Sequence, residues 1–191
     1  MLVSAAALLR ERGTAGVTID AVLARSGTPR GSVYHHFPGG RSQMLREALE
    51  FAGDEIAATI DAAAGDSGTA LLRQFVEMWR EVLVASDYTA GCPVLAASLG
   101  SGADEQRLAS LAAEIFTRWR EASKQAYLRE GFEPAQAGAL ADTAIAAMEG
   151  AVVLCRSARS PEPLNDVAQQ LEFLITARKF VAKDGIAAVS A

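Results

Sequence analysis

TIDAVLARSGTPRGSVYHHFPGGRSQML, residues 18 to 45, carries the densest structural signal in this chain. Ile19, Val22 and Leu23 form the apolar stripe of one helix, and Gly27 sits where a tight turn needs a positive φ. Thr28-Pro29 then offers an N-cap followed by the proline favoured at the first helical position. The second helix is short and ends near His36. Its Val33 and Phe37 point inward at i, i+4, while Arg30, Ser32, Tyr34, His35 and His36 crowd the outward side with only Gly31 among them. The spacing predicts a helix-turn-helix.

That outward face is chemically suited to a nucleic-acid groove. Arginine makes bidentate bonds to guanine, serine bonds either kind of base edge, and glycine lets the backbones approach. Tyrosine and histidine suit phosphates, contacts that set register without reading sequence. The alternative is a two-helix corner of an ordinary helical protein. The apolar spacing alone permits it, but such a corner gives no reason to align these polar groups on one surface.

The run from Leu2 to Leu49 resembles the DNA-binding domain of TetR-type transcriptional regulators. The matching parts are an alanine-rich first helix, Ala5 to Gly13, a Thr-capped second helix, Thr18 to Ser26, and the closing Tyr34-His35-His36-Phe37. The extra glycine in FPGGR and a later Gly91-Cys92-Pro93 are similar to the LmrA/YxaF-like branch. The resemblance implies an all-α fold, with a three-helix DNA-binding domain over 1–47 and a helical ligand-binding and dimerisation domain over 48–191. It implies phosphate contacts for Thr18, Tyr34, His35 and Arg41, and base contacts for Arg30, Gly31 and Ser32. Thr28 belongs to the same face through its cap, and His36 matches a position that is commonly half-buried. Relatives begin helix 1 with a basic segment several residues earlier, whereas Met1 here already occupies the first core position.

Charge agrees with this division. Residues 1 to 47 hold six arginines against three acidic residues, a net +3, while the rest holds twelve basic against twenty acidic residues, a net −8. A basic head on an acidic body fits a DNA reader with a separate second function. Half of the residues are apolar, ample for a core. No continuous apolar run reaches membrane-spanning length, and residues 1 to 12 lack the basic front end of a signal peptide. The expectation is a cytoplasmic protein with no membrane partner.

Beyond residue 47 helical periodicity continues and no strands are expected. Helices are predicted over about 42–63, 69–85, 93–99, 104–130, 134–157 and 164–181, with loops at GDSG and SLGSGAD and a frayed tail over 183–191. The predicted helix AQAGALADTAIAAMEGAVVLC is rich in small residues. Two readings stand: a self-association face, with Ala144, Ala147 and Ala151 pairing with Val167, Leu171 and Leu174 across a two-fold axis, or the core helix of a monomer. Dimerisation suits a DNA reader, because one short helix reads few base pairs.

Phe75, Met78, Trp79, Tyr88, Phe116, Trp119 and Met148 concentrate in the body. Individually they read as core, and together they suit the wall of a cavity for a flat apolar molecule. The resemblance places an inducer pocket among helices 5, 7 and 8, where these residues fall together with Cys92. Glu149 and Arg156 are candidates to orient a polar group.

Cys92 and Cys155 lack the spacing of a zinc site or a disulfide framework, and the adjacent His35 and His36 are poorly placed to share one ion. No metal site or cofactor is expected. No nucleophile–base pair, phosphate loop or paired carboxylates suggest an enzyme. The expected function is a homodimeric repressor that binds a palindromic double-stranded operator and is released by a small, apolar or aromatic effector. Two alternatives remain: a repressor sensing oxidation at Cys92, and a helical scaffold that does not bind DNA.

Overall fold

The computed structural model describes residues 1–65, 67–100 and 103–183, and these are helical with no strands among them. In chain order the elements are α1 (Leu2–Gly16), α2 (Ile19–Ser26), α3 (Gly31–His36), α4 (Gly40–Ala64), α5 (Gly68–Ala85), α6 (Pro93–Ser98), α7 (Ala103–Arg129), α8 (Pro134–Ala158) and α9 (Glu162–Lys183). The expected tail over 183–191 falls, apart from Lys183, outside the described residues. So do Asp66, Ser101 and Gly102 of the two expected loops.

The head is built from α1 to α3 and the start of α4. Thr18 caps α2 by accepting the Ala21 N–H at 3.1 Å, and Gly27 closes it in the left-handed conformation, φ 65°. Val22, Val33, Phe37 and Met44 are buried with Ala5, Leu8 and Leu9 of α1. Two local expectations need correcting. Helix 1 was expected to end at Gly13, whose φ of 66° does break the backbone, yet a further helical turn runs on to Gly16. Thr28 was expected to cap α3, but Arg30 holds the N-cap position and no side chain caps it. Tight bonds open α3 instead, from Ser32 N–H to the Pro29 carbonyl and from Val33 N–H to the Arg30 carbonyl.

Helix α4 connects head and body in one piece, roughly 37 Å long at the α-helical rise. It packs on α1 at one end and on α5 and α7 further along. Gly53 makes the α4–α7 approach possible, since a Cβ there would stand 2.9 Å from Ile115 Cδ1. Trp119 of α7 fills the neighbouring space and donates its Nε1–H to the Gly53 carbonyl at 3.3 Å.

Helix α8 lies against α5, α7 and α9. By length and composition it is apolar enough to cross a membrane. Its inner residues Leu140, Ala141, Met148, Ala151 and Val152 are nevertheless buried against protein. The core helix of a folded protein meets the same length and composition test. The α8–α9 connection is sharp: Arg159 adopts φ 51° and Ser160 N–H bonds back to the Cys155 carbonyl.

Candidate nucleic-acid interface and effector cavity

Helix α3 presents Arg30, Gly31, Tyr34, His35 and His36 to solvent, with Ser32 half-buried beside them. A Cβ on Gly31 would meet nothing within 4 Å. Packing within the head therefore does not demand glycine there, whereas a closely approaching groove would favour it. His36 is exposed rather than half-buried, its ring edge-on to His35 with centroids 5.2 Å apart. Thr18 uses its oxygen to cap α2 and keeps its hydroxyl hydrogen for an outside acceptor. Arg30 Nη1 bonds Asp20 Oδ1 at 2.8 Å, with both side chains largely exposed. Such a pair is weak in water, so DNA can take the arginine from Asp20 at small cost.

Arg41 departs from the role implied by the resemblance. Its Nε donates to the Val17 carbonyl at 2.8 Å and its Nη2 to the Thr14 carbonyl at 2.7 Å, in a half-buried setting. The guanidinium ties the α1–α2 corner to α4 instead of projecting towards a phosphate. Arg41→Ala is expected to lower stability by about 2 kcal/mol, the usual worth of charge-assisted bonds to otherwise orphaned carbonyls. Arg30→Ala should leave stability nearly unchanged. Urea unfolding of the two variants checks the contrast.

In the body, α5, α7 and α8 enclose a small apolar cavity, about 30 Å³, lined by Leu72, Phe75, Trp119, Tyr127, Met148 and Glu149 among others. A wider groove of about 820 Å³ opens between α7 and α8, lined by Leu95, Phe116, Arg120, Ile145, Glu149 and Leu154 among others. The structure thus brings Phe75, Trp119 and Met148 to the cavity and Phe116 to the groove. Trp79, Met78, Tyr88 and Cys92, expected at the same site, line neither. Trp79 is fully buried core, edge-on to Phe75 at 6.3 Å, and Met78 and Tyr88 are half-buried against the core. Sequence reasoning missed Ser123 and Ile145, whose residue types carry no cavity signal, and Tyr127, whose aromatic ring could have been grouped with the others. Glu149 it named only as a candidate, although a lone charge within IAAMEGAVVLC is the signal that marks it.

Glu149 is 7 % exposed and its Oε2 has no hydrogen-bond partner. Burial pushes its carboxyl from 4.5 up to about 7, and a hydrogen bond with Cys92 opposes the rise. The folded state therefore holds this proton more tightly than the unfolded chain. Its contribution to stability is fully present below about pH 4.5 and is lost as pH rises through about 7. Glu149→Gln should consequently match the parent protein at about pH 4 and exceed it at pH 8 by on the order of 3 kcal/mol. Urea unfolding at the two pH values measures this. An equal difference at both would exclude a buried, titrating carboxylate.

Cys92 is the N-cap of α6, accepting the Leu95 N–H at 3.4 Å. Burial, reinforced by the Glu149 charge, pushes its thiol well above the ordinary range. A redox-sensing cysteine needs an exposed, easily ionised thiol, and Cys92 has the opposite setting. Its position links the cavity to the head. Helix α6 packs on α1, α4 and α7, the adjoining Gly91 N–H bonds the Arg10 carbonyl at 2.8 Å, and Arg156 Nη2 of α8 reaches the Glu11 carbonyl at 3.4 Å.

Of the residues expected at a self-association face, Ala151 and Leu171 are taken up by the core and the rest are half-buried in a single copy. Ala151 and Leu171 are buried, Ala144 lines the cavity, and Ala147, Val167 and Leu174 pack half-buried on the core. Small side chains let α8 approach its own neighbours, while some larger apolar residues stay outside. Val153 is 49 % exposed, Leu154 55 % and Phe173 of α9 70 %. Gly150 and Ala146 are exposed on the same helix as the first two.

Comparison with known proteins places both halves. Residues 1–48 match the family of bacterial regulatory proteins called tetR, and residues 69–170 match the C-terminal domain of LmrA/YxaF-like transcriptional regulators. An uncharacterized HTH-type transcriptional regulator of Mycobacterium tuberculosis is 43 % identical over 182 residues, covering 93 % of each chain. The HTH-type regulator LmrA of Bacillus subtilis is 24 % identical over 179 residues, covering 92 % of this chain and 94 % of that one. Among solved structures, the regulatory protein TetR of Rhodobacter sphaeroides superposes with a TM-score of 0.74 at 25 % identity. That match covers 89 % of this chain and 95 % of that one. With the exposed face of α3 and an all-helical body beneath it, the chain belongs to the TetR family of helix-turn-helix transcriptional regulators, in its LmrA/YxaF-like branch.

Proposed function

We propose that this regulator is a homodimeric repressor that binds a palindromic operator and releases it when a small molecule occupies the body. The observation that carries the DNA half is the solvent-facing group of Arg30, Gly31, Tyr34 and His35 on a helix whose Val33 is wholly buried. Two such helices, held roughly 34 to 36 Å apart by a two-fold axis, reach successive major grooves on one face of DNA. The exposed apolar residues Val153, Leu154 and Phe173, on the same two helices as the small-residue face expected from sequence, supply that axis. Arg30 reads bases in this account, Tyr34, His35 and Thr18 hold phosphates, and Arg41 supports the head. The head division falls near residue 47, within α4, and the protein works in the cytoplasm with chromosomal DNA.

The effector half rests on how the cavity is wired. Trp119 faces the cavity and also bonds α4 at Gly53, and Glu149 contacts Cys92 at the start of α6, which lies on α1. A ligand against Trp119 and Glu149 therefore acts on both helices that carry the head. It shifts the equilibrium only by its preference for the body conformation with the wrong head spacing.

Fluorescence anisotropy with a random duplex tests the first step. Binding should weaken steeply with added salt, as counterion release requires. Salt-independent binding, or none at low salt, would favour the helical scaffold instead. Native mass spectrometry of protein purified from its host separates the remaining readings: a retained small molecule supports the effector, and an oxidised Cys92 supports thiol sensing.

A further inference from the structure

We propose that the Glu149 carboxyl is the recognition group for the protonated amine of an amphipathic ligand whose apolar body lies in the α7–α8 groove. The inference rests on the ligand-binding reading above and names the chemistry of that site.

Three observations converge. Glu149 lines both the inner cavity and the outer groove, the one acidic residue the two share. Oε2 is buried without a partner, a costly state that a ligand donor would relieve. The neighbouring cations are occupied elsewhere: Arg120 pairs with Asp142 at the groove rim, and Arg156 donates to the Glu11 carbonyl. Neither arginine is bonded to Glu149, so a cation for its ionised form would be the ligand's own. Burial, which favours the protonated carboxyl, is offset once an ammonium stands beside the carboxylate.

Size assigns the rest of the ligand. The inner cavity, about 30 Å³, takes little more than a water molecule or an amine head. The groove, about 820 Å³, takes an apolar body against Leu95, Phe116, Ile145, Val153 and Leu154. Val153 and Leu154 also belong to the proposed dimer face, so the second copy closes the outer side of the groove.

Three compounds with one body and different heads test this: 4-phenylbutylamine, 4-phenylbutanol and 4-phenylbutyrate, titrated into the intact protein by calorimetry near neutral pH. The amine should bind at least ~10-fold tighter than the alcohol, the difference expected of a charge-assisted bond, and the acid should bind worst. Glu149→Gln should erase the amine's advantage. Phe116→Ala should weaken all three compounds without changing their order. Glu149→Asp, which keeps the charge and shortens its reach, should weaken the amine most, and it serves if the glutamine variant fails to fold. Equal binding of the three, preference for the acid, no binding up to about 10 mM, or an amine preference that survives Glu149→Gln would each overturn the assignment. Release of bound DNA is followed in the same titrations. Head-group preference without release would uphold the amine site and remove its regulatory role, so the two failures are distinguishable.

Discussion

Leu154→Glu should yield a monomeric protein that no longer holds its operator specifically. The side chain is more than half exposed in a single copy, on a helix face with Val153 and Gly150, and the account buries it against its two-fold mate. Two glutamates would meet there, desolvated and without a cation, a cost of several kcal/mol. Operator affinity should fall at least ~100-fold, because each head alone must then pay its own association cost and reads only a half-site. Far-UV circular dichroism should stay helical and weak, salt-sensitive binding to random DNA should persist. Sedimentation velocity decides: a Leu154→Glu protein that remains dimeric with normal operator affinity would remove α8 from the interface.

Arg30→Ala should produce the second large effect. Loss of a bidentate contact to guanine costs about 1 to 3 kcal/mol per half-site, and two-fold symmetry doubles it. Discrimination should relax at the same base pair in each half-site and remain elsewhere. Arg30→Lys should rescue little, since a point charge cannot reproduce the planar fork. Stability should hold throughout, because Arg30's protein partner is only the exposed Asp20. Equal loss on operator and random DNA would make Arg30 a phosphate contact.

How much was legible in the sequence differs from residue to residue, for physical reasons. The α3 face could be read because its polar side chains stand on a helix whose phase Val33 and Phe37 set, and both are buried as the spacing predicts. Helices α4 to α9 followed from periodicity and from Gly131, Pro93 and Pro134 at their ends. Arg41 was opaque because its residue type suits a phosphate and a carbonyl equally. Only the three-dimensional meeting of α1 and α4 shows its fork closing on Thr14 and Val17. The phase of α8 was hard to read for a related reason. A helix rich in alanine has little amphipathic contrast, so close approach to internal neighbours and close approach to a second copy look alike along the chain. Val153 and Leu154 carried the better signal, as large apolar residues out of phase with Met148, Val152 and Cys155. The aromatic residues divided similarly: composition placed them in the body, but only packing separates Trp119, which lines the cavity, from Trp79, which does not.

The central claim is that a dimer reads DNA in a base-specific way through α3. Selection from a random duplex library, sequenced for the parent protein and for Arg30→Ala, tests it most directly. The account predicts one enriched motif with two inverted half-sites, their centres separated by about one helical turn or a multiple of it. It further predicts that Arg30→Ala loses information at one symmetric pair of positions. No enrichment, a motif without dyad symmetry, or an identical motif from Arg30→Ala would contradict it.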